Sequence, residues 1–196
     1  MRNRLGNICM MMGAVLVLAA LTLFCWNQRE AQRAQEAAEE ILPQVIESIR
    51  TPQEQPTGYP DPYNPVMTEK TIDGYSYIGY LSIPSLELEL PVMAQWDYQR
   101  LKIAPCRYTG STKTDNLVIA AHNYARHFGN LSKLTAGERF SFVDMDGIVT
   151  VYEVALVETM EPTAIEEMTD GSYDLSLFTC TYGGQYRVTV RCDKSK

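Results

Sequence analysis

A thiol, an imidazole and a guanidinium are the groups in this sequence with chemistry to offer. Cys180 and Arg187 flank Thr181-Tyr182-Gly183-Gly184-Gln185-Tyr186. If Gly183-Gly184 forms a two-residue turn, as the primed hairpin types favour, then 182 faces 185, 181 faces 186 and Cys180 faces Arg187. Directly opposed residues point to one side of a sheet, with Cβ atoms about 4.5–5.5 Å apart. A fixed cation at that distance favours a thiolate and can hold a developing oxyanion. The plainer alternative is a core cysteine opposite an unrelated surface arginine. His122 ends the run Leu117-Val118-Ile119-Ala120-Ala121-His122. A histidine where a buried strand emerges has a fixed backbone and an imidazole at the rim, which suits proton transfer. A cysteine nucleophile needs such a partner. His127, in the polar stretch that follows, competes for the role. Spacing alone pairs neither histidine with Cys180.

The elements that must position these groups read as strands. Tyr77 to Ile83 is stopped by Pro84, and Leu86-Glu87-Leu88-Glu89-Leu90 alternates strictly, with three leucines on one face. Leu117 to Ala121 is a continuous apolar run, as in a strand covered on both sides. Arg139 to Val143 and Ile148 to Glu158 flank the turn sequence Asp144-Met145-Asp146-Gly147 and predict a hairpin. Leu175 to Thr179 and Tyr186 to Arg191 form the last pair. Short helices fit around residues 97–102, 129–134 and 163–168. Seven or eight strands in about 125 residues predict a mainly β domain that closes, or nearly closes, into a barrel.

Upstream the composition changes. Ile8 to Trp26 carries no charge and matches the roughly 20 residues a helix needs to cross a bilayer. Arg2 and Arg4 precede it, so the positive-inside rule puts residues 1–7 in the cytoplasm, and Trp26 suits the membrane interface. A cleaved secretory signal is the alternative, although no small-x-small cleavage site follows the apolar run. Either way the remainder lies outside the cell. Residues 27–50 are rich in Ala, Glu, Gln and Arg and predict a polar helical stalk, which Pro43 should kink or interrupt. Residues 51–71 form a Pro-rich linker, and the barrel is expected over 72–196.

Of the 196 residues, 17 are Lys or Arg and 24 Asp or Glu, a formal charge of −7. That balance disfavours nucleic-acid binding. The five cysteines include no CxxC pair, so a zinc site is not expected. Cys9 and Cys25 lie in the apolar segment. Cys106, Cys180 and Cys192 leave at least one free thiol in the folded domain, and Cys106 could pair with Cys192 if their Cα atoms came within about 4.4–6.8 Å.

Ser176-Leu177-Phe178-Thr179-Cys180 resembles the sortase signature T-L-x-T-C, with Ser for the leading Thr. Arg187, seven residues on, is similarly placed in that family, and Leu117 to His122 resembles its strand ending in the catalytic histidine. Ile78-Gly79-Tyr80-Leu81-Ser82-Ile83-Pro84 looks like its first strand, and Glu161-Pro162-Thr163 resembles a stretch before the last strands. The resemblance spans about residues 75–192 in the right order. It implies a sortase-type β-barrel whose catalytic residues are His122, Cys180 and Arg187. The implied reaction cleaves an LPXTG-like sorting signal through a Cys180 thioester and transfers the acyl group to an amine of a peptidoglycan precursor or a pilin lysine. It implies an extracellular domain on a single-pass plasma-membrane anchor, and no cofactor. Some relatives use calcium near the last loops; here Glu158, Glu161, Glu166, Glu167 and Asp170 read as a solvated surface. Ala121 stands where many members have Gly. Residues 159–174 leave no room for the long helical insertion of the haem-protein-anchoring type. Asp61-Pro62-Tyr63 resembles the lid tripeptide of pilin-polymerising members, which typically also carry a C-terminal span not seen here.

Two other classes share some of these features. A cell-wall cysteine peptidase or amidase would also use a Cys/His pair, but typically with Cys first and near a helix N-terminus. A non-enzymatic surface β-barrel module would make Cys180 structural.

Overall fold

The computed structural model describes residues 2–51 and 65–195, so Asp61-Pro62-Tyr63 lies outside the described residues. Helix α1 runs over Arg2–Arg50. Nine strands follow: β1 (Lys70–Ile72), β2 (Tyr75–Ile83), β3 (Leu88–Met93), β4 (Cys106–Thr109), β5 (Leu117–Ala120), β6 (Arg139–Asp144), β7 (Val149–Met160), β8 (Leu175–Cys180) and β9 (Arg187–Lys194). A second helix, α2 (Ile165–Thr169), lies between β7 and β8. Strand order is β1-β2-β3-β4-β5-β8-β9-β7-β6, and β6 pairs back onto β2. Eight strands therefore close a barrel, and β1 is an extra short strand on β2. Closure removes the free edges that an open sheet would expose.

Two alternating faces make this barrel. Inward positions such as Ile78, Leu81, Ile119, Phe142, Leu177 and Val190 are buried in the main core. Gly79 permits the closing contact: its φ is +145°, and a Cβ there would meet the Val143 carbonyl oxygen at 2.0 Å. The β6–β7 turn is held by Asp144, whose Oδ1 accepts from the backbone N–H groups of Asp146 and Ile148 at 3.0 and 2.9 Å. Burial raises the pKa of that carboxyl above its usual range, opposed by these same bonds.

Several expectations need correction. Leu86 sits in a 3-10 turn, Pro84–Leu86, and regular alternation begins only at Leu88. Strands β1 and β4 were not foreseen, being too short to show a period. The helical stretches at 100–102 and 131–133 are single 3-10 turns. Pro43 does not interrupt α1. It lies on the exposed side, where the Glu39 carbonyl it leaves unpaired can reach water. Nor does the helix stand off as a stalk. Ala34, Ala38, Ile41 and Val45 recur on one face and are buried against the barrel. Small alanines let the helix approach closely, and Ile41 and Val45 join Tyr77, Met93, Leu101 and Cys106 in a second apolar cluster. All five cysteines are free thiols, with Cys106 and Cys192 in different clusters.

Candidate active site

Strands β5 and β8 are parallel, with Leu117 opposite Leu175 and Ala120 opposite Phe178. Two more residues along both chains bring His122 level with Cys180. Two bonds carry the alignment past the end of β5. The Ala121 N–H donates to the Phe178 carbonyl at 3.2 Å, and Thr179 Oγ1 donates to the Ala121 carbonyl at 2.8 Å. Asn123 Nδ2 reaches the Thr181 carbonyl at 3.4 Å. Strand β9 runs antiparallel on the other side of β8, with Arg187 directly opposite Cys180. The three residues thus form a row across adjacent strands, roughly 4.8 Å apart in the hydrogen-bonding direction.

The register of the hairpin is the expected one, but its turn is not. The Gly184 N–H donates to the Thr181 carbonyl at 2.8 Å, so the tight turn is Thr181–Gly184 rather than a two-residue Gly183-Gly184 loop. Gln185 and Tyr186 complete the return, with the Tyr186 N–H donating to Thr181 Oγ1 at 3.1 Å. Gly183 and Gly184 both adopt positive φ, +93° and +77°, which glycine permits without strain. Arg187 Nη1 donates to the carbonyls of Gly184 and Tyr186 at 3.2 Å each, tying the guanidinium to its own loop. Cys180 is half-buried and Arg187 likewise.

His122 is half-buried, and its Nε2 is buried without a hydrogen-bond partner among the described residues. Burial holds its pKa below the usual range; Glu30 of α1 opposes that shift and Lys102 adds to it. The Tyr124 ring lies 5.0 Å from the imidazole. His127 is not a rim residue. It is fully buried beside the Ala34 turn of α1, and burial pushes its pKa down to about 4. The Ala34 carbonyl favours the protonated form, at a geometry short of a hydrogen bond, and His122 opposes it.

Arg191 carries a role that the sequence did not suggest. Its position on β9 shares a face with Arg187, yet it is 3% exposed. Its Nε donates to Glu158 Oε1 at 2.9 Å, and Nη1 to Ser176 Oγ at 2.9 Å and the Met168 carbonyl at 3.2 Å. Nη2 donates to the Glu167 carbonyl at 2.9 Å and meets the Met160 sulfur at 3.2 Å. One buried cation therefore pins α2 to the sheet. Met168 of α2 then packs with Val118 and Met160, against which Tyr108 and Phe178 also lie. Of the five acids expected at the surface, Glu158 alone is drawn into this ion pair, at 33% exposed, while Glu161, Glu166, Glu167 and Asp170 are exposed, Asp170 accepting from the Ser172 N–H and hydroxyl. Among the described residues no three His, Cys, Asp or Glu side chains converge as a metal cage. A charged residue between Val190 and Cys192 was the available signal for Arg191. Nothing local pointed to Thr179 as the tie behind His122, or to Glu30.

The family model described as the sortase domain matches residues 81–195, more than half of the chain. Sortase C1 of Streptococcus suis is 29% identical, covering 61% of this chain and 73% of that one, with a TM-score of 0.53. Sortase C of Clostridium perfringens is 24% identical over 80% of this chain and 90% of its own, at a TM-score of 0.54. Sortase A of Corynebacterium diphtheriae is 19% identical over 89% and 96%, at 0.57. No curated protein matches.

Proposed function

Since the chain belongs to the sortase family, we propose that it is a cell-surface cysteine transpeptidase in which Cys180 is the nucleophile, His122 the proton partner and Arg187 the oxyanion cation. The alignment of these three residues, Cys180 ending β8 opposite Arg187 on β9 and His122 two residues past β5, carries the reading. Cys180 Sγ attacks the carbonyl of the scissile peptide bond in an LPXTG-like sorting signal. Arg187 N–H groups other than Nη1, which have no protein partner among the described residues, stabilise the tetrahedral oxyanion. His122 gives its proton to the departing amine as the C–N bond breaks, leaving a thioester. The acceptor amine, from a peptidoglycan precursor or a pilin lysine, then loses a proton to His122 as it attacks the thioester and releases Cys180. No cofactor takes part.

In this reading residues 8–26 of α1 span the plasma membrane, residues 1–7 are cytoplasmic, and the barrel lies outside. Among the described residues α1 is the one helix long and apolar enough to cross a membrane, and no part of its apolar window is buried.

The test is a quenched fluorescent peptide carrying an LPXTG-type motif, incubated with the full chain in detergent, with and without an amine acceptor. A thioester adduct seen by mass spectrometry, absent in Cys180→Ala and resolved by the amine, is the expected result. A folded protein that forms no adduct over a panel of motif variants would count for a non-enzymatic barrel module. Cleavage to free acid that no amine diverts would count for a peptidase.

A further inference from the structure

The barrel docks on α1 without a spacer between it and the apolar segment. Residues 6–29 of α1 are exposed, and burial against the barrel begins at Glu30 and Ala31 and continues through Ala34, Ala38, Ile41 and Val45. Glu30 is four residues past Trp26, about 6 Å along a helix at roughly 1.5 Å per residue. The headgroup layer on each side of the hydrocarbon is about that thick.

The barrel residues at this level of the helix are those of the active-site end. Lys102 Nζ pairs with Glu30 Oε1 at 3.8 Å. Glu30 also acts electrostatically on His122 and Tyr124. Asn123 binds the Thr181 carbonyl, so the Thr181–Tyr186 loop with its fully exposed Tyr182 belongs to the same end. At the far end of the helix the neighbours are different. Lys70 Nζ donates to the Ser48 carbonyl, and Ile49 packs 3.6 Å from the Cβ position of Gly147 in the β6–β7 turn. From Glu30 to Ile49 the helix rises about 28 Å. Going outward, α1 passes the active site first and the β6–β7 turn last.

We infer that the active-site end of the barrel rests on the outer bilayer surface, held there by the unbroken helix, with the β6–β7 turn pointing away. This rests on the proposed reading of residues 8–26 as a membrane span. Charge favours the contact. Arg29 and Arg33 flank Glu30 on α1, and Lys102 pairs with Glu30 there; in a chain whose formal charge is −7 these cations suit anionic lipid phosphates. Substrates and acceptors tethered to the bilayer would meet Cys180 without leaving the surface.

The test uses the full chain in vesicles of zwitterionic and anionic phospholipid, with a fluorophore on a noncanonical side chain at Leu16, Lys102 or Ile148. Nitroxide lipids carry the quencher in the acyl chain for Leu16 and on the headgroup for the other two. Quenching at Leu16, with headgroup quenching at Lys102 at least about threefold that at Ile148, is the expected result. A flexible Gly/Ser spacer of about ten residues placed between Gln28 and Arg29 should then abolish the difference. Quenching at Leu16 with Lys102 no stronger than Ile148 would overturn the inference and leave the anchor standing. No quenching at Leu16 would overturn the anchor, and the inference with it.

Discussion

Replacing Arg191 by Met tests whether a single buried guanidinium holds the wall beside the active site. Met matches the length of the stem but removes the charge and all five contacts described for the head. Removing one partner of a buried ion pair typically costs about 3–5 kcal/mol. Glu158, left behind, is 33% exposed, so water recovers part of its solvation and the low end applies. The carbonyls of Glu167 and Met168 lose their donor but can reach water if α2 lifts. The expected loss is therefore about 3 kcal/mol, or roughly 6–12 °C in melting temperature for a chain of this size. The assay is near-UV circular dichroism of the full chain in detergent on heating, with amide exchange of residues 161–174 read in parallel. Exchange there should rise before the barrel melts, and kcat/KM should fall because Met168 packs on the face that carries Phe178. Arg191→Lys keeps the charge without the planar fork and should recover only part of the loss. A melting temperature within about 1 °C of the parent, with unchanged exchange at α2, would refute the clasp.

Glu30→Gln removes the carboxylate that raises the His122 pKa, so the limb of the pH–rate profile belonging to His122 should move to lower pH; an unmoved or rising limb would sever the link between helix and site. His127 has a folded pKa pushed down to about 4 by burial, against about 6.5 unfolded, so the folded state binds fewer protons. Its contribution is complete above about pH 6.5 and is lost as pH falls towards 4, on the order of 3 kcal/mol. Urea midpoints at pH 7 and 4.5 should therefore diverge in the parent and much less in His127→Phe; equal declines would exclude His127 as the cause. Arg187→Lys keeps a cation but not the planar guanidinium, in which Nη1 binds the two loop carbonyls while the other N–H groups are left for the oxyanion, and should lower kcat/KM about ten- to hundredfold with the thioester still detectable; an unaffected rate would reduce the role of Arg187 to charge alone.

Much of this molecule is written locally in its sequence. Alternation over 77–83, 139–143 and 148–158 marks strands because a half-buried strand must present apolar side chains to one face. The facing of Cys180 and Arg187 was legible because a hairpin pairs residues near each other in the chain, and the register survived even though the turn itself is Thr181–Gly184. The apolar run Ile8–Trp26 was legible for the same local reason. Strands β1 and β4 escaped because three or four residues are too few to display a period.

What the sequence left open depends on contacts between distant segments. His122 and Cys180 are 58 residues apart, and only the parallel pairing of β5 with β8, continued by Thr179 onto the Ala121 carbonyl, makes them neighbours. His122, ending an apolar run, and His127, in the polar stretch after it, competed for one role; α1 buries His127 and leaves His122 half-buried. Arg191 reads as an ordinary charge on a strand until α2 folds over it. The helix read as a stalk because two alanines, an isoleucine and a valine are a weak stripe, sufficient only once a matching apolar groove receives them. Periodicity tells each segment which face to bury, while closure of the barrel decides against what.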